Sequence, residues 1–193
     1  MSARDDILAR IARAAVPAGP ELPEVPAFEA ALPSLEEAFI ANLARMGGQC
    51  VVSDGKALQD QISARFPGAK VFCSAAAEFA GNRAVEAGGD PRALEDVDVG
   101  VVRARFGVAE TGSVWLSEAE LKVNSLAFLA QHLVVLLAAA DLVPNLHSAY
   151  RHAGFREARY AILMSGPSAT ADIEGVLVRG AQGVRSLTVW LLS

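Results

Sequence analysis

Residues 160–174 read Tyr-Ala-Ile-Leu-Met-Ser-Gly-Pro-Ser-Ala-Thr-Ala-Asp-Ile-Glu, and this stretch is the strongest guide to the fold. Its first five residues are apolar and predict a buried strand, which the turn signal Ser-Gly-Pro ends abruptly. Hydroxyl and carboxylate side chains follow closely, at Ser168, Thr170, Asp172 and Glu174. In an α/β protein, ligands bind in the loops that leave the carboxyl ends of the parallel strands. We therefore expect a binding site directly after this strand.

The segment after the turn can be a helix or an extended chain, and the choice decides how its two carboxylates are placed. A helix over residues 168–178 is the favoured interpretation, because its first N–H groups would point towards a bound ligand. Asp172 and Glu174 would then project roughly 200° apart around the helix axis, whereas on a strand they would share one face. Gly175 and the β-branched valines after it weaken the helix prediction, so the extended alternative stays open.

The rest of the body alternates apolar runs with helical patterns. Strands are predicted over residues 49–53, 70–73, 97–102, 112–116, 132–137, 160–164 and 187–192. Helices are predicted over residues 34–46, for about ten residues after Asp54-Gly55, over 123–130 and over 141–152, with short helices at 76–79 and 91–95. This alternation predicts an α/β fold with a mostly parallel sheet flanked by helices.

Residues 1–33 form a region of their own before the α/β domain of residues 34–193. Residues 2–15 carry the apolar spacing of a helix, with Ser2 as its cap. Prolines then recur at positions 17, 20, 23, 26 and 33, a density that forbids a helix and predicts an extended tether. The N-terminal helix can pack on its own domain or contact a partner subunit, and both alternatives stay open.

The composition excludes several classes of function. The formal net charge of −5 provides no electrostatic footprint for nucleic acid. No signal-peptide core and no membrane-spanning apolar run occurs, so we expect a cytoplasmic protein. Cys50 and Cys73 lie far apart without a Cys-x-x-Cys motif, so the chain alone cannot hold an iron–sulfur cluster or a cysteine-type zinc site. His132, His147 and His152 lack the spacing of metal ligands, and we expect no metal.

Two further polar clusters are candidates for a site. Residues 106–113 read Phe-Gly-Val-Ala-Glu-Thr-Gly-Ser between two apolar runs. Glu110 and Thr111, with Gly112 beside them, suit a pocket, although a hairpin turn is an equal alternative. Residues 179–185 read Arg-Gly-Ala-Gln-Gly-Val-Arg, which suits either an anion cradle or a loop with solvated arginines before the last strand.

Together these clusters resemble the LUD-domain family and, more narrowly, the lactate-utilisation protein C (LutC) family. The run Ser-Gly-Pro-x-x-Thr-Ala-Asp-Ile-Glu at residues 165–174 is the specific part of the resemblance, and the Glu-Thr-Gly run at 110–112 supports it. The resemblance covers the chain from about residue 35 to its end, and the N-terminal helix and tether also resemble members of the family. It implies a fold like that of the sugar-phosphate isomerases and CoA transferases (NagB/RpiA/CoA transferase-like).

The resemblance also implies a function, as one component of a system that oxidises L-lactate to pyruvate together with iron–sulfur partner proteins. In this interpretation the partners carry the clusters, and this chain binds a small organic acid or a cofactor fragment but no cofactor by itself. The pocket residues that match the family's motifs are Glu110, Thr111, Gly112, Ser165, Gly166, Ser168, Thr170, Asp172, Glu174, Gly180 and Gly183. Glu110 and Asp172 are the candidates for a catalytic role, which the resemblance does not assign.

The chain departs from the family pattern in two places. Gln182 and Val184 stand where the family often has His and Pro, so a histidine acid or base in that loop is excluded. Residues 122–127, Lys-Val-Asn-Ser-Leu-Ala, replace a stretch that often carries an arginine. Two alternatives therefore remain: a stand-alone enzyme acting on a sugar phosphate or acyl-CoA with Glu110 as base or nucleophile, and a non-catalytic binding or scaffold subunit. A homo-oligomer is compatible with each of them.

Overall fold

Two larger β-sheets and the helices around them form the body of the described part of the chain. The structure, a computed structural model, describes residues 2–14, 19, 23–24, 26, 34–172 and 174–193. A five-stranded parallel sheet is flanked by helices, so the predicted α/β class is confirmed. The end of the first predicted helix, at Ala15, and most of the predicted tether lie outside the described residues.

The larger sheet is parallel throughout. Its strands, in spatial order, are β1 (Gln49–Ser53), β11 (Ser186–Leu192), β6 (His132–Ala138), β3 (Val99–Arg103) and β2 (Phe72–Ser74). The central strands β11 and β6 are each buried over five consecutive residues. Both faces of the sheet are therefore covered, which explains why most residues of these two strands are apolar.

The smaller sheet is mixed and holds the candidate site. It contains β4 (Phe106–Val108), β5 (Ser113–Ser117), β7 (Leu142–Val143) and β8 (Ala161–Met164), in the spatial order β7-β4-β5-β8. β4 and β5 form an antiparallel hairpin, and β8 pairs antiparallel with β5, with Met164 opposite Val114. Because of this register, the end of β8 lies beside the turn of the β4–β5 hairpin.

Helices lie between and around the sheets. They are α1 (Ala3–Ala14), α2 (Leu35–Arg45), α3 (Leu58–Arg65), α4 (Glu118–Leu121), α5 (Leu126–Leu129), α6 (Leu146–Arg151) and α7 (Gly154–Glu157). Ser34 caps α2 by accepting a hydrogen bond from the N–H of Glu37, as predicted. α2 buries Phe39 and Leu43 in the main core, whereas α1 buries none of its residues. No helix of the described ranges combines the length and the apolar character that crossing a membrane requires.

The predicted helix over residues 168–178 is wrong, and the extended alternative is correct. Ala169–Thr170 (β9) and Val178–Arg179 (β10) pair antiparallel as a short hairpin. Glu174 and Gly175 near its tip have positive φ values of 54° and 70°, which a right-handed helix does not accommodate. Asp172 therefore lies in the turn of a hairpin together with Glu174, on neither a helix nor a paired strand.

Other segments differ from their predictions in smaller ways. Pro144 interrupts the helix predicted over residues 141–152, so that β7 precedes it and α6 follows it. Residues 76–79 form a turn and not a helix, and the helix predicted over 123–130 is restricted to α5. β4 was not predicted as a strand, because its three residues, Phe-Gly-Val, are too short and too interrupted to show a period.

Candidate binding site

The carboxyl end of α2 is the surface on which the motif loops are assembled. The Asn42 side chain donates a hydrogen bond from Nδ2 to the carbonyl oxygen of Ala109, over 2.8 Å. Gly112 has a φ of +62° and lies so close to α2 that a Cβ atom on it would be 2.6 Å from the carbonyl carbon of Asn42. The hairpin turn of residues 109–112 therefore packs directly on the helix backbone, where only glycine fits.

The loop after β8 packs on the same end of α2. Gly166 has a φ of +77°, and a Cβ atom on it would be 2.9 Å from the carbonyl carbon of Met46 and nearer still to the carbonyl oxygen. Gly47 has a φ of +84°, and a Cβ atom there would be 2.7 Å from Nη2 of Arg179. The guanidinium of Arg179 therefore lies against a glycine backbone, which connects β10 to α2.

Hydrogen bonds join the two most specific motifs to each other. The hydroxyl of Ser165 donates to the carbonyl oxygen of Thr111 over 2.8 Å, and the oxygen of Gly112 lies 3.4 Å away. The hydroxyl oxygen of Thr111, Oγ1, lies 2.7 Å from Oγ of Ser113. The Glu-Thr-Gly turn and the Ser-Gly-Pro loop are thus neighbours, although about 50 residues separate them in sequence.

Residues 165–168 also contact the glycine-rich segment before β11. The N–H of Ser168 donates to the carbonyl oxygen of Val184 over 3.1 Å, and the N–H of Gly180 donates to the oxygen of Ser168 over 2.9 Å. A Cβ atom on Gly183 would lie 3.1 Å from Cβ of Ser168. Ser168 is therefore held between Gly180 and Gly183.

A cleft of about 280 Å³ opens at this junction, and we name it the Ser168 cleft. It is lined by residues 127–128, 162–168 and 182–184. None of these side chains is charged. The hydroxyl of Ser168 and the N–H groups of Gly166 and Gly183 donate to no acceptor within the described part of the chain. The cleft therefore offers neutral hydrogen-bond donors beside the apolar side chains of Phe128 and Ile162.

Both residues proposed for catalysis lie outside the Ser168 cleft. Oε2 of the exposed Glu110 accepts a hydrogen bond from the N–H of Leu146 over 3.0 Å, at the first residue of α6. The exposed Asp172 accepts a hydrogen bond from the hydroxyl of Thr170 over 2.9 Å, within the β9–β10 hairpin. Glu174 is exposed at the tip of the same hairpin. Glu110 and Asp172 thus already have hydrogen-bond partners within the protein, so a ligand is not needed to explain where they lie.

The structure divides the motif residues into two groups. Those that it brings together around the Ser168 cleft are Thr111, Gly112, Ser165, Gly166, Ser168, Gly180 and Gly183. Those that it places elsewhere are Glu110 at the start of α6, and Thr170, Asp172 and Glu174 on the hairpin. No three His, Cys, Asp or Glu side chains among the described residues are close enough to hold a metal ion.

The site lies at a different edge of the fold from the one that the sequence predicts. The prediction treated the strand of residues 160–164 as part of the parallel sheet, whose carboxyl edge binds ligands. β8 instead belongs to the mixed sheet. The cleft beside it is lined by α5, which leads into β6, and by residues 182–184, which lead into β11. It therefore lies near the amino-terminal edge of the parallel sheet.

Sequence reasoning missed the contribution of α2. The motif loops contact the end of α2 at Asn42, Met46 and Gly47. In the sequence, this region has only the pattern of a helix that ends before two glycines. The pair Gly47-Gly48 is the one feature of the sequence that indicates a further role here, because a single glycine is sufficient to end a helix. The positive φ of Gly47 and its contact with Arg179 give that glycine a second reason to be there.

Comparison with protein families places most of this site within one domain family. Residues 74–192 match the model of the family described as the LUD domain. The matched range contains the hairpin turn of residues 109–112 and the whole segment from β8 to β11, whereas α2 lies outside it. The loops of the site are thus part of the family's own sequence pattern.

Individual relatives match a shorter region. The chain is 35% identical over 96 residues to the uncharacterized protein YkgG of Escherichia coli (strain K12). It is 32% identical over 95 residues to Lactate utilization protein C of Halalkalibacterium halodurans. Each match covers 46% of this chain and 41% of the relative, so the similarity spans about two fifths of the length of these proteins.

A solved structure has the same fold. The crystal structure of a DUF162 family protein from Deinococcus radiodurans superposes with a TM-score of 0.63, over 82% of this chain and 96% of that chain. The sequence identity between the two is 14%, so this likeness concerns the fold alone.

Proposed function

The chain belongs to the LUD-domain family, as its motifs predict, and we propose that it takes part in L-lactate utilisation by binding a small 2-hydroxy or 2-oxo acid in the Ser168 cleft. The observation that carries this proposal is the composition of the cleft: neutral donors at Ser168, Gly166 and Gly183 beside an apolar wall. Lactate and pyruvate have the matching parts, a carboxylate, a neighbouring oxygen and a methyl group.

The size of the cleft favours an acid of this kind over larger ligands. Sites for drug-sized small molecules usually measure about 300–1,000 Å³. At about 280 Å³ the Ser168 cleft lies just below that range, which suits a three-carbon acid and disfavours an acyl-CoA or a dinucleotide. The name of the Halalkalibacterium halodurans relative, Lactate utilization protein C, supports the same class of substrate.

In this proposal, iron–sulfur partner proteins accept the electrons that are removed from lactate. Cys50 and Cys73, the two cysteines of this chain, occupy separate strands, β1 and β2, at opposite edges of the parallel sheet. Two thiols so placed do not form the four-cysteine ligand set of a typical cluster. In the assembly we propose, this chain holds or positions the organic acid, and its partners oxidise it.

A thermal-shift experiment on the purified chain tests the binding claim. At 100 times its Kd, a ligand adds about 2.7 kcal/mol of stability, which raises the Tm of a protein of this size by roughly 5–10 °C. We expect this for L-lactate or pyruvate. Ser168→Ala removes one neutral hydrogen bond and should weaken binding by roughly 2- to 10-fold. Ser63→Ala, on α3 outside the cleft, is the matched control and should bind like the unmodified protein.

Two results would contradict the proposal, each in a different part. If neither L-lactate nor pyruvate shifts the Tm, whatever other ligands do, the Ser168 cleft does not bind a lactate-like acid. If a strain that lacks the gene grows on L-lactate as fast as its parent, the role in lactate utilisation is wrong. Growth on glucose is the control for a general defect.

A further inference from the structure

A second and larger cleft, of about 730 Å³, lies at the amino-terminal edge of the parallel sheet, and we name it the amino-edge cleft. Four parallel strands begin here, so residues at or near their first positions are adjacent: Gln49 lies opposite Thr188, Ser186 opposite His132, and His132 opposite Val99. Residues 65–69, which run from the last residue of α3 towards β2, form another wall. The amino-edge cleft shares no lining residue with the Ser168 cleft.

The centre of the amino-edge cleft is a histidine–serine pair. Nδ1 of the half-buried His132 lies 2.8 Å from Oγ of Ser186, and the ring packs on Phe66 with centroids 5.1 Å apart. Burial and the nearby guanidinium of Arg185 lower the pKa of His132, against a smaller opposing effect of Asp98, and this favours the neutral ring. A neutral histidine and a serine possess one N–H and one O–H donor, and their mutual bond uses one of them. One donor remains for a ligand, whichever tautomer is present.

The charges that line the amino-edge cleft favour an anion. Arg65 and Arg185 both line it, and neither forms an ion pair with a carboxylate of the described residues. Arg65 bonds instead to the neutral side-chain oxygen of Gln49. Asp98 is the one carboxylate in this lining, and its Oδ2 accepts hydrogen bonds from the N–H groups of Lys70 and Val71, over 2.7 and 2.9 Å. These backbone donors lower the pKa of Asp98, so its carboxylate stays ionised, and the two guanidinium groups outnumber this single negative charge.

We propose that the amino-edge cleft binds a phosphate group, either as free phosphate or as part of a small phosphate monoester. A carboxylate has two oxygens with about four lone-pair sites between them, and two bidentate guanidinium groups fill all four. Two guanidinium groups and the spare donor of the His132–Ser186 pair exceed what a carboxylate can accept, and they match the three or four oxygens of a phosphate. The volume of the cleft leaves room for an organic group beyond the phosphate.

Isothermal titration calorimetry with inorganic phosphate tests this proposal, with glycerol 3-phosphate and L-lactate as separate ligands and with sodium chloride added to equal ionic strength. We expect phosphate or the monoester to bind the unmodified protein. Arg185→Gln and Arg65→Gln should each weaken this binding by roughly 10-fold or more, since each removes a charged hydrogen-bond donor. Both arginines are exposed, so neither substitution should prevent folding, and a Tm without ligand checks this.

Arg92→Gln is the matched control, because Arg92 is an exposed arginine outside the amino-edge cleft. It should bind phosphate like the unmodified protein. Binding of the monoester alone would identify the ester as the ligand, and equal binding of both would show that the phosphate group itself is recognised. The proposal is overturned if neither ligand binds, or if Arg92→Gln weakens binding as much as Arg185→Gln. L-lactate affinity should be unchanged in Arg185→Gln, which separates this test from that of the Ser168 cleft.

Discussion

Replacing Gly166 with alanine should destabilise the protein much more than the same replacement at Gly175. Both glycines have a left-handed backbone, with φ values of +77° and +70°. Their surroundings differ: a Cβ atom on Gly166 would be 2.9 Å from the carbonyl carbon of Met46, whereas a Cβ atom on Gly175 would have nothing within 4 Å. The pair therefore separates the cost of the backbone conformation from the cost of the contact with α2.

The expected magnitudes follow from these two contributions. An alanine in the left-handed region costs about 1–2 kcal/mol. The lower entropy of the unfolded alanine chain offsets about 0.4–1 kcal/mol of this. Gly175→Ala should therefore lower the free energy of unfolding by at most about 1.6 kcal/mol. Gly166→Ala must also displace the end of α2, a form of overpacking that costs about 1–3 kcal/mol more, since the obstructing atoms belong to the backbone.

Urea denaturation followed by circular dichroism measures both variants on one scale. The midpoint should fall in Gly166→Ala with an unchanged slope, and the Tm should fall by roughly 2–4 °C per kcal/mol for a chain of this length. Gly175→Ala should lower both the midpoint and the Tm by clearly less than Gly166→Ala does. If the two variants lose equal stability, the loop after β8 does not pack on α2 as the structure shows, and the construction of the Ser168 cleft has to be revised.

Two further predictions concern Cys50 and Glu110. Burial raises the pKa of the Cys50 thiol from 9.0 to about 11, which lowers the fraction of reactive thiolate. In the folded Cys73→Ala variant, Cys50 should therefore react with a disulfide reagent at pH 8 roughly 100 times more slowly than in the same variant unfolded in urea. Because the pKa of Cys50 is higher in the folded state than in the unfolded state, the stability that the neutral thiol contributes is fully present below pH 9 and is lost as the pH rises to about 11. Equal reaction rates of Cys50 in the folded protein and in urea would refute the raised pKa. Glu110→Ala should cost about 0.5–1 kcal/mol by removing the acceptor for the N–H of Leu146, whereas Glu110→Gln, which keeps an acceptor, should cost less. Urea midpoints decide this, and an alanine variant as stable as the glutamine variant would show that the hydrogen bond does not hold α6.

The strands of the parallel sheet could be predicted from the sequence, and the division into two sheets could not. β6 and β11 are buried on both faces, so their composition alone identifies them to within a residue or two. β8 has a similar apolar composition, but it pairs antiparallel with β5, which lies more than 40 residues earlier. The choice of partner depends on contacts that are distant in sequence, and an apolar run carries no record of them.

The sequence prediction put glycines, serines and acidic residues in one pocket, whereas the structure brings the glycines and serines together around the Ser168 cleft and places the acidic residues elsewhere. Ser165, Ser168 and Gly183 come together because loop contacts require small residues with hydroxyl or backbone donors. Asp172 and Glu110 were predicted as catalytic candidates because they are carboxylates. In the structure, Asp172 accepts a hydrogen bond from Thr170 in the same hairpin, and Glu110 accepts one from the N–H of Leu146. Asp and Thr separated by two residues often bond to each other in a turn, so this spacing indicates a turn at least as strongly as it indicates catalysis.

The short segment before β11 connects the two clefts. Residues 182–184 line the Ser168 cleft, and the next two, Arg185 and Ser186, line the amino-edge cleft. The segment leads directly into β11, which pairs with β1 on one side and with β6 on the other. Because both neighbours fix the register of β11, Arg185 and Ser186 cannot shift along the strand without breaking two sets of pairs. The same constraint positions Gly183 against Ser168, so the central strand of the fold sets the geometry of both clefts at once.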